Sequence, residues 1–99
     1  MRMMLRITFP TEAGNRAIED GSFPKLMQAA LDKLQPEAAY FYASKGQRAA
    51  MLFFDMEDSS EIPGIAEPWF MALNAEIELQ PVMNKDDLQK GLAAAMQAM

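Results

Sequence analysis

The chain contains no cysteine and no histidine. Lack of cysteine excludes disulfides and thiolate nucleophiles. Lack of histidine removes the imidazole base, and the two together take away nearly all zinc and haem ligation. The hydroxyls of Thr8, Thr11, Ser22, Ser44, Ser59 and Ser60 have no His to activate them. Positive charge is also scarce. Nine Lys and Arg stand against fourteen Asp and Glu, a net charge of −5, which argues against a nucleic-acid surface. No apolar run approaches the ~20 residues of a membrane span, and none of signal-peptide length follows Met1 to Phe9. These absences predict a cytoplasmic protein that works without nucleic acid or membrane. A glycine-rich phosphate loop is missing too, since Gly14 and Gly21 are too far apart and no phosphate-loop Lys follows.

What is present suits a folded domain. Half the chain is hydrophobic, 51% of 99 residues, enough for one core, and residues 1–99 are expected to form a single domain. Ten Met stand out. Met fills irregular gaps in a core or lines an adaptable binding surface, and composition alone does not separate the two.

Hydrophobic periodicity divides the chain. Met3 to Phe9 alternates as a strand, with Met3, Leu5, Ile7 and Phe9 on one side, and Pro10 ends it. Thr11 to Asp20 is a weak helical or looped segment, because Gly14 and Gly21 interrupt it. A better helix follows Ser22, its expected N-cap, with Phe23, Met27, Ala30, Leu31 and Leu34 on one stripe until Pro36. Ala38 to Ser44 and Arg48 to Met56 read as a hairpin around Lys45-Gly46, with Tyr40 facing Met51, Tyr42 facing Ala49 and Phe41 facing Ala50. Asp58 to Leu73 reads as a broken helix, opened by a capping arrangement of Asp58 with Glu61 and interrupted at Pro63, Gly64 and Pro68. Ala75 to Met83 alternates as an edge strand. Asn84 then caps a last helix whose apolar side is Leu88, Leu92, Ala95, Met96 and Met99. The order β-α-β-β-α-β plus a C-terminal helix predicts an α+β, ferredoxin-like antiparallel sheet, strand order 4-1-3-2, with helices on one face.

The two sheet faces differ. Leu5, Ile7, Phe41, Leu52, Phe54, Ile77 and Leu79 suit the helix-covered core. The other face carries Met4, Arg6, Thr8, Tyr40, Tyr42, Met51, Phe53, Asp55, Glu76 and Glu78, with Arg2 and Arg6 expected to pair with Glu76 and Glu78. So much aromatic surface is seldom left bare on a monomer. A second copy is the simplest cover, and two such sheets meeting face to face make a dimeric α+β barrel.

Several segments support a resemblance that runs nearly end to end: Gly14-Asn15-Arg16-Ala17-Ile18 with Asp20-Gly21, Pro36-Glu37-Ala38-Ala39-Tyr40-Phe41, Phe54-Asp55-Met56, Ile65-Ala66-Glu67-Pro68 and Pro81-Val82-Met83-Asn84. The chain resembles a family of short uncharacterised bacterial proteins. The resemblance implies the dimeric α+β barrel architecture, whose superfamily includes cofactor-free monooxygenases, muconolactone isomerases and haem enzymes. It brings no catalytic residues. The missing His sets this chain apart from the haem branch.

Candidate chemistry is sparse. Asp55, on the aromatic face, is the best placed general base if desolvated there, with Tyr40 or Tyr42 donating to an oxyanion. Asp55, Glu57, Asp58 and Glu61 offer oxygens to a hard cation, but lack calcium-loop spacing and suit a capped helix start better, so no metal is expected. Gly14-Asn15-Arg16 offers N–H groups and a guanidinium to an anion, though a helix-entry turn explains it more simply. Ser44-Lys45 is turn chemistry. Trp69 walls an apolar cavity between helix and sheet or is simply core, and Glu67 beside it is placed to gate or anchor a polar group. The expected function is a homodimer that binds a small apolar or aromatic molecule through Tyr40, Tyr42, Met51, Phe53, Asp55, Glu67 and Trp69, with no cofactor. Alternatives are a cofactor-independent monooxygenase- or isomerase-like enzyme and a protein-interaction module.

Overall fold

A computed structural model describes residues 1–99. Its elements are β1 (Arg2–Phe9), α1 (Thr11–Glu19), α2 (Ser22–Leu34), β2 (Ala38–Ser44), β3 (Gln47–Asp55), α3 (Ile62–Leu73), β4 (Glu76–Pro81) and α4 (Lys85–Ala98). The four strands form one antiparallel sheet in the order β2-β3-β1-β4. This is the ferredoxin-like α+β arrangement that the alternating pattern predicts.

Strand β1 lies in the middle because every second residue on it is apolar. Met3, Leu5, Ile7 and Phe9 are all buried against the helices. Leu52 and Phe54 of β3 join them from one side, and half-buried Ile77 and Leu79 of β4 from the other. Helices α1, α2 and α3 close this layer with Ala17, Met27, Ile65, Trp69 and Leu73. The hairpin register agrees with the expected one: Tyr40 opposes Met51, Phe41 opposes Ala50 and Ser44 opposes Gln47. Lys45 and Gly46 both have positive φ, 53° and 78°, as a two-residue type I′ turn requires.

Four local expectations need correction. Thr11–Glu19 is a regular helix rather than a weak segment. Gly14 belongs inside it because a Cβ there would come within 2.8 Å of the Phe9 ring and 2.7 Å of the Arg48 guanidinium. Helix α2 begins at Ser22 itself; left-handed Gly21 (φ 80°) precedes it, and Asp20 accepts a hydrogen bond from the Ser22 N–H at 2.8 Å. Pro68 does not break α3. It lacks one helical N–H, but Ile65, Ala66, Trp69 and Leu73 are buried on both sides of it and hold the two halves together. A single 3₁₀ turn, Ser59–Glu61, leads into α3, with Asp58 and Glu61 in a reciprocal capping box. Phe41 lies on the helix side but is 57% exposed, because β2 is an edge strand that the helices do not reach. The apolar stripe of α4 is not buried on this chain.

Helix α4 projects from the end of the sheet. The molecule spans 55 × 28 × 19 Å, and its radius of gyration is 16.0 Å. A compact chain of this length would have about 13 Å. Asn84 and Asp87 form a capping box at the start of α4, so local chemistry rather than packing keeps the helix wound.

The Gly14 contact gives a test of the core. Ala has about 1 kcal/mol better helix propensity than Gly. The collision with a buried ring costs about 1–3 kcal/mol. Gly14→Ala is therefore expected to lower the urea midpoint, whereas Gly91→Ala, where a Cβ meets nothing within 4 Å, is expected to leave it unchanged or raise it.

Candidate functional site

Two regions bring the expected site residues together. The first is the sheet face that carries no helix. Even-numbered β1 residues and odd-numbered β3 residues point to it. Across the sheet they form rows: Tyr40, Met51, Arg6 and Glu78; then Tyr42, Ala49, Thr8 and Glu76; then Ala38, Phe53, Met4 and Gln80. The β2–β3 half of this face is aromatic and apolar, and the β1–β4 half is polar. Tyr40 is 61% exposed, and Tyr42 is exposed as well. The structure therefore gathers Tyr40, Tyr42, Met51 and Phe53 on one open surface.

Asp55 stands at the end of this face, but not in the desolvated setting a buried base needs. Its side chain is 72% exposed and lies 2.6 Å from the Met1 ammonium. Arg6 pairs with Glu78 at 3.8 Å, as expected. Arg2 does not reach Glu76, which sits opposite Thr8 at the far end of β4. Instead its Nε donates to Glu37 at 2.7 Å and one of its terminal nitrogens to Asp87 of α4 at 3.2 Å. The hydrogen bond and charge of Glu37 raise the Arg2 pKa above its ordinary value, so this guanidinium stays charged at any working pH. Met1, Arg2, Asp55, Pro81, Val82, Met83 and Asp87 enclose a broad trough of about 650 Å³ where α4 leaves the sheet.

The second region lies between α2 and α3. Leu26, Ala29, Ala30, Leu34, Ile65, Pro68 and Trp69 line an apolar cavity of about 130 Å³, with Lys33 and Gly64 at its margin. Trp69 is 1% exposed and forms part of its wall. The cavity's lining comes from α2 and α3 alone. Of the α2 residues that line it, Ala30 and Leu34 belong to the expected core stripe, while Leu26, Ala29 and Lys33 lie off that stripe and become cavity wall only where α3 approaches. Glu67 lies on α3 but is exposed and does not line the cavity.

The remaining candidates are committed elsewhere. The Glu61 carboxylate accepts from the backbone N–H groups of Glu57 and Asp58 at 3.0 and 2.9 Å, and Asp58 accepts from Ser60. These bonds cap the turn before α3. Gly14, Asn15 and Arg16 lie within α1 rather than at an entry turn. The Gly14 N–H donates to the Pro10 carbonyl, Arg16 pairs with Glu12 at 3.2 Å, and Asn15 accepts from Arg48 at 3.0 Å.

No family model matches the chain, and no curated protein matches it. Among solved structures it is similar to the de novo designed protein Ferredog-Diesel, at 13% identity and a TM-score of 0.51, over 82% of this chain and 85% of the designed one. That likeness concerns the fold alone.

Arg2 provides the side-chain link between the sheet and α4. Exposed ion pairs contribute less than ~1 kcal/mol. Arg2→Ala is thus expected to leave global unfolding nearly unchanged while amide exchange in residues 85–90 speeds up. Unchanged exchange in that segment would show that the link does not hold α4.

Proposed function

We propose that this chain acts as a homodimer that binds a small apolar or aromatic molecule. The observation that carries the ligand half is the apolar cavity beside Trp69. Its volume of about 130 Å³ is close to that of engineered apolar cavities that hold benzene, roughly 150 Å³. The Lys33 side chain at its margin offers a positive charge to an acidic substituent, so a ring bearing a carboxylate suits it. The aromatic half of the open face, with Tyr40, Tyr42, Met51 and Phe53, is the second place where such a molecule fits, enclosed once another copy covers it.

The dimer half rests on uncovered apolar area. A sheet face with two exposed Tyr and a helix with exposed Leu88, Leu92, Met96 and Met99 together exceed what a lone soluble chain usually presents. Stacking two open faces in the manner of a dimeric α+β barrel buries the first, and α4 is then placed to reach across to the partner. The methionines fit this reading. Met3, Met27 and Met56 are buried, while Met1, Met71, Met83, Met96 and Met99 are strongly exposed, where they serve an adaptable contact better than a core. A cytoplasmic setting and kinship with small bacterial proteins belong to the same proposal. The enzyme reading would need Asp55 desolvated, whereas its side chain is 72% exposed.

Benzoate titrated into the native protein and followed by Trp69 emission tests the ligand site. Saturable quenching is expected, and Ala29→Phe, which fills the cavity mouth, is expected to remove it. Quenching that persists unchanged in Ala29→Phe would place the ligand elsewhere, and no quenching in the native protein would remove this reading of the cavity. Met51→Glu tests the face contact: charge at the centre of the aromatic half is expected to weaken self-association at least tenfold in sedimentation equilibrium.

A further inference from the structure

The two edges of the sheet are built differently. Strand β4 alternates Glu76 and Glu78 with apolar residues and ends at Pro81, features that discourage another strand from adding to it. Strand β2 has none of them. Ala38–Ser44 carries no charge, no proline and no bulge in its pairing with β3, and no strand pairs with its outer edge. Tyr40, Phe41 and Tyr42 are exposed on it, on both faces of the sheet.

The hairpin geometry fixes which backbone groups face outward. The residues flanking a two-residue turn exchange hydrogen bonds, so Ser44, Tyr42 and Tyr40 turn their N–H and C=O groups toward β3. Ala39, Phe41 and Ala43 therefore direct theirs away from the sheet. Bonds elsewhere in the sheet agree: Glu37 donates to the Phe53 carbonyl and Met56 to the Met1 carbonyl, so odd-numbered β3 residues face β2 and even-numbered ones face β1.

We propose that β2 pairs antiparallel with β2 of a second copy, about a two-fold axis through Phe41. The sequence points to this occupant. Ala39-Tyr40-Phe41-Tyr42-Ala43 reads the same in both directions. In an antiparallel pair centred on Phe41, Ala39 meets Ala43 of the other copy, Tyr40 meets Tyr42, and Phe41 meets Phe41. Small side chains stand opposite small ones and rings opposite rings, with no charge to repel. The outward groups of Ala39, Phe41 and Ala43 on each copy supply about six backbone hydrogen bonds, and the joined sheet has eight strands. Four tyrosines then form one strip on the open face, while the two Phe41 rings cover each other on the helix side.

This contact is independent of the face contact proposed above. It uses the strand edge and leaves the open face available, so paired sheets can still stack. Either contact alone gives a dimer, and the two together close a tetramer where their two-fold axes intersect.

The natural absence of cysteine makes a clean test. In the paired arrangement the two position-41 Cα atoms are about 5.5 Å apart, within disulfide range. Phe41→Cys is expected to form a disulfide dimer under mild oxidation at least tenfold faster than Met71→Cys, which is exposed on α3 and reports random collisions. Equal or slower cross-linking of Phe41→Cys would overturn the proposal. A second readout needs no substitution. In the native protein the amides of Ala39, Phe41 and Ala43 are expected to exchange at least tenfold more slowly at high than at low protein concentration. Fast exchange at every concentration would overturn it equally, whatever the fate of the face contact.

Discussion

One constraint organises this molecule: a single antiparallel sheet whose own helices cover only one of its faces. Strand β1 anchors that arrangement. Met3, Leu5, Ile7 and Phe9 all point into the helical layer, and α1, α2 and α3 pack onto them with Ala17, Met27 and Trp69. Full burial of such side chains stabilises by about 1.5–3 kcal/mol each, which offsets the ordering of the strands. The other face of the same strands has no such partner. The more firmly β1 commits its odd-numbered residues to the core, the more completely its even-numbered neighbours, with those of β3 and β2, are left outside.

Much of this was readable from the order of residues. The element order β-α-β-β-α-β points to the strand order, and the Lys45-Gly46 turn suggests a hairpin register that the positive φ of both residues fixes in the structure. The register in turn puts Tyr40, Tyr42, Met51 and Phe53 on one face. Other features depended on tertiary neighbours that no local pattern reveals. Gly14 looked like a helix weakness, yet it is the space that Phe9 and Arg48 occupy. Pro68 looked like a break, but burial on both sides of it overrides the missing hydrogen bond. Phe41 has the right parity for the core and still lies outside it, because parity states the face and not how far the helices extend. The apolar stripe of α4 reads like any core helix, and its projection away from the body is visible only in three dimensions.

The candidate site was partly legible for the same reasons. The aromatic face followed from register. The cavity beside Trp69 did not, since Leu26, Ala30 and Leu34 become its wall only when α3 crosses α2. Carboxylates that looked available for metal or base chemistry are engaged in capping or in exposed ion pairs. What is left unengaged is apolar: the open face, the β2 edge, the α4 stripe and one ring-sized cavity. These apolar surfaces are the ones on which the proposed association and ligand binding rest.

The central claim is that a second copy covers this apolar surface. Sedimentation velocity of the native protein over a wide concentration range tests it most directly. A dimer or tetramer of the 11.1 kDa chain that dissociates only on dilution is expected. A single 11.1 kDa species, persisting at the highest concentration, would contradict it.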